Sequence, residues 1–124
     1  MNENCIFCSL PREKIALENN LCLSFYDKYP VNLGHMLIIP KRHFASILEA
    51  SPEEVMAIHE LLIETQAYLN KEFHPDGFNL GINQGEVAGQ TIFHLHLHII
   101  PRYLGDVKNP RGGVRNFKEN MVKY

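Results

Sequence analysis

The chain has 124 residues, 45% of them hydrophobic, and a formal net charge of −2. That length suits one domain with a modest core, and the slight acidity argues against a nucleic-acid partner. No run of 18 apolar residues occurs, the first residues hold neither a basic nor a hydrophobic stretch, and three cysteines are present, so the expectation is a cytoplasmic protein with no membrane span and reduced thiols.

The first motif in chain order is Cys5-Ile6-Phe7-Cys8. A C-x-x-C pair stands between zinc, redox chemistry and coincidence. A thioredoxin-like site wants a strand before the pair and a helix after it. Here only four residues precede it and Pro11 follows soon after, which disfavours redox chemistry. Strands are predicted over 16–18, 21–26 and 34–39. Cys22, between Leu21 and Leu23, reads as a strand thiol, and Asp27 opens an Asp27-Lys28-Tyr29-Pro30 turn.

One long helix follows. Ser51 is an N-cap, Pro52 takes the first helical position and Glu54 closes a capping box, ahead of apolar positions Val55, Ile58, Leu62, Leu69 and Phe73. Proline at 75 should stop it near Phe73 and His74. His59 and His74 receive no role.

Residues 77–83 alternate with period two, and the glycine-punctuated loop Gln84-Gly85-Glu86-Val87-Ala88-Gly89-Gln90-Thr91 returns the chain as a hairpin into a strand over 91–100. That strand holds His94-Leu95-His96-Leu97-His98. Alternation sets the three imidazoles on one face, roughly 7 Å apart, and turns Leu95, Leu97 and Ile99 toward a core. Each imidazole can be a nucleophile, an acid or base, or a metal ligand. Gly85 and Gly89 allow close backbone approach, and Asn83, Gln90 and Thr91 offer uncharged donors, so a phosphate site is the reading the loop and triad share. The layout is α+β: an antiparallel five-stranded sheet with one long helix and a short one.

The chain resembles the histidine triad (HIT) family of nucleotide hydrolases and transferases. The likeness is carried by Phe25-Tyr26-Asp27, by Gly34-His35-Met36-Leu37-Ile38-Ile39-Pro40-Lys41-Arg42-His43, and by Gly89-Gln90-Thr91 with the triad, over residues 5–106. The resemblance implies that His96 is the nucleophile attacking an α-phosphorus, that His98 contacts phosphate and assists the leaving group, and that His35 lines the same site. A nucleophilic His96 must be neutral, so its other nitrogen should donate to a backbone carbonyl. Asp27 matches the family's ribose-binding position. Ile6, Phe7, Phe25 and Leu37 can sandwich a base or serve as core.

For Cys5 and Cys8, zinc needs two more ligands, and His43 with His94 would complete a closed tetrahedron, as in zinc-bearing bacterial members; reduced, unliganded thiols remain the alternative. Four protein ligands leave no open position, so this zinc would be structural, and catalysis would be metal-free or use magnesium bound with substrate. The resemblance further implies a homodimer whose sheet continues across the interface. Residues 1–106 form the expected domain, and 107–124 a tail that completes the site or the dimer interface. Pro101-Arg102-Tyr103-Leu104-Gly105-Asp106 resembles diadenosine polyphosphate hydrolases, whereas the run from Asn109 to Arg115 resembles bacterial hydrolase tails; Arg111 and Arg115 suit distal phosphates. The favoured activity is therefore hydrolysis of dinucleoside polyphosphates, with a nucleoside phosphoramidase and a non-catalytic nucleotide-binding module as the other readings.

Overall fold

The computed structural model describes residues 4–117. Five strands, β1 (Leu17–Glu18), β2 (Cys22–Tyr26), β3 (Met36–Pro40), β4 (Gly77–Gly81) and β5 (Leu97–Arg102), form one antiparallel sheet in the order β1-β2-β3-β5-β4. Among the described residues a single α-helix, α1 (Pro52–Phe73), packs on it. The short helical pieces are 3-10 turns, including Ile47–Glu49 and Glu86–Ala88. No described helix is long and apolar enough to cross a membrane.

The start of α1 forms for the reason legible in the sequence. Ser51 accepts from Glu54 N and the Glu54 carboxylate accepts from Ser51 N, which satisfies two N-terminal amides, and proline occupies the first turn. The helix ends at Phe73, with His74 in the left-handed conformation at φ 52°. Its fully buried residues are Glu54, Ala57, Leu61, Thr65 and Leu69, and Ile58, Leu62 and Phe73 pack partly buried beside them; of the expected apolar positions Val55 turns outward, 47% exposed. A small alanine and a threonine whose hydroxyl bonds Ser24 Oγ at 3.3 Å let helix and sheet approach closely.

Alternation along β2, β3 and β5 divides the protein into two faces. Cys22, Met36, Ile38 and Ile99 join Ala57, Leu61 and Leu69 under the helix. Phe25, Leu37 and Ile39 point the other way and pack with Cys5 and Phe7 of the amino-terminal segment. The register pairs Phe25 with Leu37 and Leu37 with His98, so that histidine lies on the face away from α1. Gly34, at φ +89°, turns the chain into β3, where a Cβ would come within 2.9 Å of the Phe73 ring.

The fifth strand is shorter at its start than its pattern suggests. The ladder begins at Leu97, and His94 and His96 precede it. Leu95 N donates instead to Phe44 O at 2.6 Å, which takes this segment out of the sheet and under the 41–44 turn.

Candidate functional site

On the face away from α1 lies a cavity of about 1060 Å³. Phe7, Phe25 and Leu37 give it an apolar wall, and Ile6 stands at its edge, 63% exposed. Asp27, His35, His96, His98, Asn83 and Thr91 line the polar part. One apolar wall beside convergent polar groups is the form of a small-molecule site.

Hydrogen bonds to the main chain fix the proton positions on the imidazoles. His96 Nδ1 lies 2.8 Å from His94 O; a carbonyl only accepts, so Nδ1 carries the hydrogen, and the neutral ring then has its lone pair on Nε2. This is the backbone contact that a neutral, nucleophilic histidine requires. His35 Nδ1 accepts from Val31 N at 3.0 Å, so its hydrogen sits on Nε2, 3.0 Å from His98 Nδ1. His98 Nδ1 is then an acceptor and its Nε2 a donor. His35 is 2% exposed and both its nitrogens are engaged. It acts on the site by setting the tautomer of His98.

Asp27 closes this group. Its Oδ1 accepts from Tyr29 N at 2.9 Å, and its Oδ2 lies 3.3 Å from His35 Nε2 and 3.8 Å from His98 Nδ1. Burial, followed by the neighbouring His96 and His35, pushes His98 down to about 4 against the opposing pull of Asp27. Burial lowers His35 as well, again against Asp27. Both rings are therefore neutral at pH 7.

The four residues expected to bind metal come together. One ligand atom each from Cys5, Cys8, His43 and His94 lies within 4.8 Å of every other. His43 and His94 Nδ1 are 3.1 Å apart, and Cys8 Sγ is 3.3 and 3.5 Å from them. A zinc tetrahedron with bonds of about 2.0 Å to nitrogen and 2.3 Å to sulfur has N to N edges of roughly 3.3 Å and N to S edges of roughly 3.6 Å. His94 Nε2 lies 2.8 Å from Pro40 O and carries the hydrogen, so its Nδ1 lone pair faces the cluster. The donor set thus fits a closed four-ligand metal site. It also separates His94 from the cavity.

Gln90 departs from its expected place. It is 3% exposed, its amide nitrogen donates to Ala45 O and Ile92 O, and its Oε1 accepts from Gly85 N. Rather than lining the cavity, it braces the loop that presents Thr91. Gly89, at φ +99°, lies beside the Asn83 amide and lines the cavity, as Asn83 does. In the tail, Arg111 precedes and Arg115 ends a short turn whose Val114 lines the cavity, and residues 118–124 lie outside the described part. The resemblance placed Asp27, His35 and His98 at one site and Phe7 among residues that can sandwich a base, but spacing gave no sign of their mutual contacts or of the Phe7 ring's approach to His96, centroid to centroid 5.1 Å. An aromatic residue between paired cysteines is the signal available for the second.

Comparison with known proteins agrees with this geometry. The HIT domain family matches residues 11–105. The chain is 40% identical over 106 residues to Adenylylsulfatase HINT3 of Arabidopsis thaliana, covering 82% of this chain and 54% of that protein. A HIT family protein from Bacillus anthracis superposes with a TM-score of 0.76 at 41% identity, over 83% of this chain and 76% of the other. A zinc-bound histidine triad family protein from Mycobacterium smegmatis superposes with a TM-score of 0.74 at 35% identity, over 83% and 78%. The chain belongs to the HIT domain family.

Proposed function

We propose that the protein is a nucleotide hydrolase that cleaves at the α-phosphate through a covalent nucleotidyl intermediate on His96 and releases a nucleoside monophosphate. The observation that carries this reading is the free Nε2 lone pair of His96 in a cavity shared with a donating His98 and the Asp27 carboxylate. Nε2 attacks the α-phosphorus and the bond to the leaving group breaks. The nucleotidyl imidazolium keeps its hydrogen on Nδ1, where His94 O stabilises the positive charge. Water then attacks phosphorus, the phosphorus to nitrogen bond breaks, and a proton goes to solvent. Asp27 receives the ribose hydroxyls, Asn83 and Thr91 donate to phosphate, and the turn that carries Val114 closes the site.

His98 Nε2 is placed as a hydrogen-bond donor to the leaving group, which suits one that departs as a stabilised anion. Dinucleoside polyphosphates, diadenosine polyphosphates among them, meet that condition. Phosphoramidates, whose amine must be protonated, meet it less well. A second reading, cleavage of an adenylyl group from sulfate, draws on the likeness to the Arabidopsis adenylylsulfatase. We assign structural zinc to Cys5, Cys8, His43 and His94, a cytoplasmic location to a chain with thiolate ligands, and a homodimer joined at β4, an edge of the sheet. The test is rapid quenching at alkaline pH with diadenosine triphosphate, followed by mass spectrometry. An adenylyl adduct on His96 is expected, and turnover without any adduct would refute the covalent route. Comparing kcat/KM for diadenosine triphosphate, adenosine phosphoramidate and adenylyl sulfate decides the leaving group.

A further inference from the structure

Residues 4–16, before β1, have no place in the sheet, yet they build one side of the site. Cys5 and Cys8 close a tight turn, with Cys8 N donating to Cys5 Sγ at 3.4 Å and Ser9 N to Cys5 O at 3.1 Å. That turn directs Phe7 inward, where it is 7% exposed. Its ring meets Phe25 at 5.5 Å and His94 at 5.9 Å, and meets His96 edge to face at 5.1 Å with an interplanar angle of 73°. The neighbouring Ile6 and Leu10 line the same cavity.

The bond from Cβ and the hydrogen bond from Nδ1 set the torsion of the His96 imidazole but leave it a residual libration that moves Nε2, the atom opposite Cγ and Nδ1 in the ring. A second restraint is needed to hold Nε2 on the line of attack. Two rings flank it: His98, at 5.2 Å, and Phe7. We infer that Phe7 is a positioning residue for the His96 imidazole, and that the Cys5, Cys8, His43 and His94 group is the clasp that keeps Phe7 in place. This rests on the reading of His96 as nucleophile. The coupling is direct, because His94 supplies both a clasp atom, Nδ1, and the carbonyl that orients His96. Metal in the clasp and order in the nucleophile are thereby properties of one contiguous group.

The experiment compares wild type, Phe7→Leu and Phe7→Tyr, each with zinc content measured. In Phe7→Leu, zinc is retained, KM for diadenosine triphosphate changes less than threefold and kcat falls about tenfold, the scale set by losing one aromatic pair. Phe7→Tyr, which keeps the ring, recovers kcat to within about threefold of wild type. Free of substrate, nuclear Overhauser contacts between the Phe7 and His96 rings are present in the zinc-loaded wild type and disappear on chelation. A Phe7→Leu enzyme with unchanged kcat at full zinc occupancy overturns the positioning role, and ring contacts that survive chelation overturn the clasp. Should Phe7→Leu fail to fold, Phe7→Tyr and the wild-type contacts still decide. A wild type that turns over no nucleotide refutes the hydrolase reading alone, because the ring contacts are read without substrate.

Discussion

Replacing Asp27 separates ribose recognition from the rest of the site. One lone pair of Oδ1 is taken by Tyr29 N at 2.9 Å, and Oδ2 lies 3.3 Å from a ring nitrogen of His35 and 3.8 Å from one of His98. The carboxylate therefore keeps acceptor capacity for a vicinal diol. Charge-assisted hydrogen bonds contribute about 1.5–3 kcal/mol each and are not additive, so Asp27→Ala should weaken binding of adenosine monophosphate by about 2 kcal/mol, roughly thirtyfold in Kd. Asp27→Asn keeps an acceptor for Tyr29 N and one polar group for the ribose, and should lose about 1 kcal/mol, the part due to charge. Titration calorimetry with adenosine monophosphate and its 2′,3′-dideoxy analogue measures both. The dideoxy ligand should be nearly indifferent to either substitution, and equal losses for the two ligands would refute the ribose assignment.

His96→Ala should lower turnover by about three orders of magnitude or more while the Kd for adenosine monophosphate changes little, because the covalent step goes and the cavity stays; near-normal hydrolysis would remove His96 as nucleophile. Protein purified without added metal should carry about one zinc per chain, and chelation, Cys5→Ser or Cys8→Ser should lower Tm by on the order of 10 °C because binding energy is folding energy; an unchanged Tm in calorimetry speaks against a structural metal. Glu54 predicts an acid-sensitive contribution to stability. Arg42 donates to it at 2.8 and 3.0 Å, and Ser51 N donates as well, holding its carboxyl at about 2 against an ordinary 4.5. A depressed value means the contribution is complete above pH 4.5 and is lost as pH falls from there toward 2. The full shift corresponds to about 3 kcal/mol, and Arg42 is 54% exposed, so about 1–2 kcal/mol is expected. Glu54→Gln should show that loss in urea denaturation at pH 7 and almost none near pH 2.

Local chemistry settled a large part of this protein in the sequence alone. Ser51, Pro52 and Glu54 specify where α1 begins because their bonds reach no further than one turn. Period-two runs specify the strands and the faces of Phe25, Leu37 and His98, since alternation is a property of the extended backbone. Cys5 and Cys8 with His43 and His94 were legible as a ligand set because metal chemistry restricts residue types. Tertiary structure decided which partner holds each histidine. The three triad residues look equivalent in a strand, yet Leu95 bonds to Phe44 O and pulls His94 under the 41–44 turn. There Pro40 O claims its Nε2, while His94 O claims Nδ1 of His96. Gln90 looked like a phosphate donor and became a brace, because two backbone groups of its own loop and one from the distant Ala45 converge on its amide. His35 and His98 meet across 63 residues, and Phe7 reaches His96 from near the start of the chain. A side chain's periodicity fixes its face, but its proton and its role depend on which distant carbonyl or ring packing brings within reach.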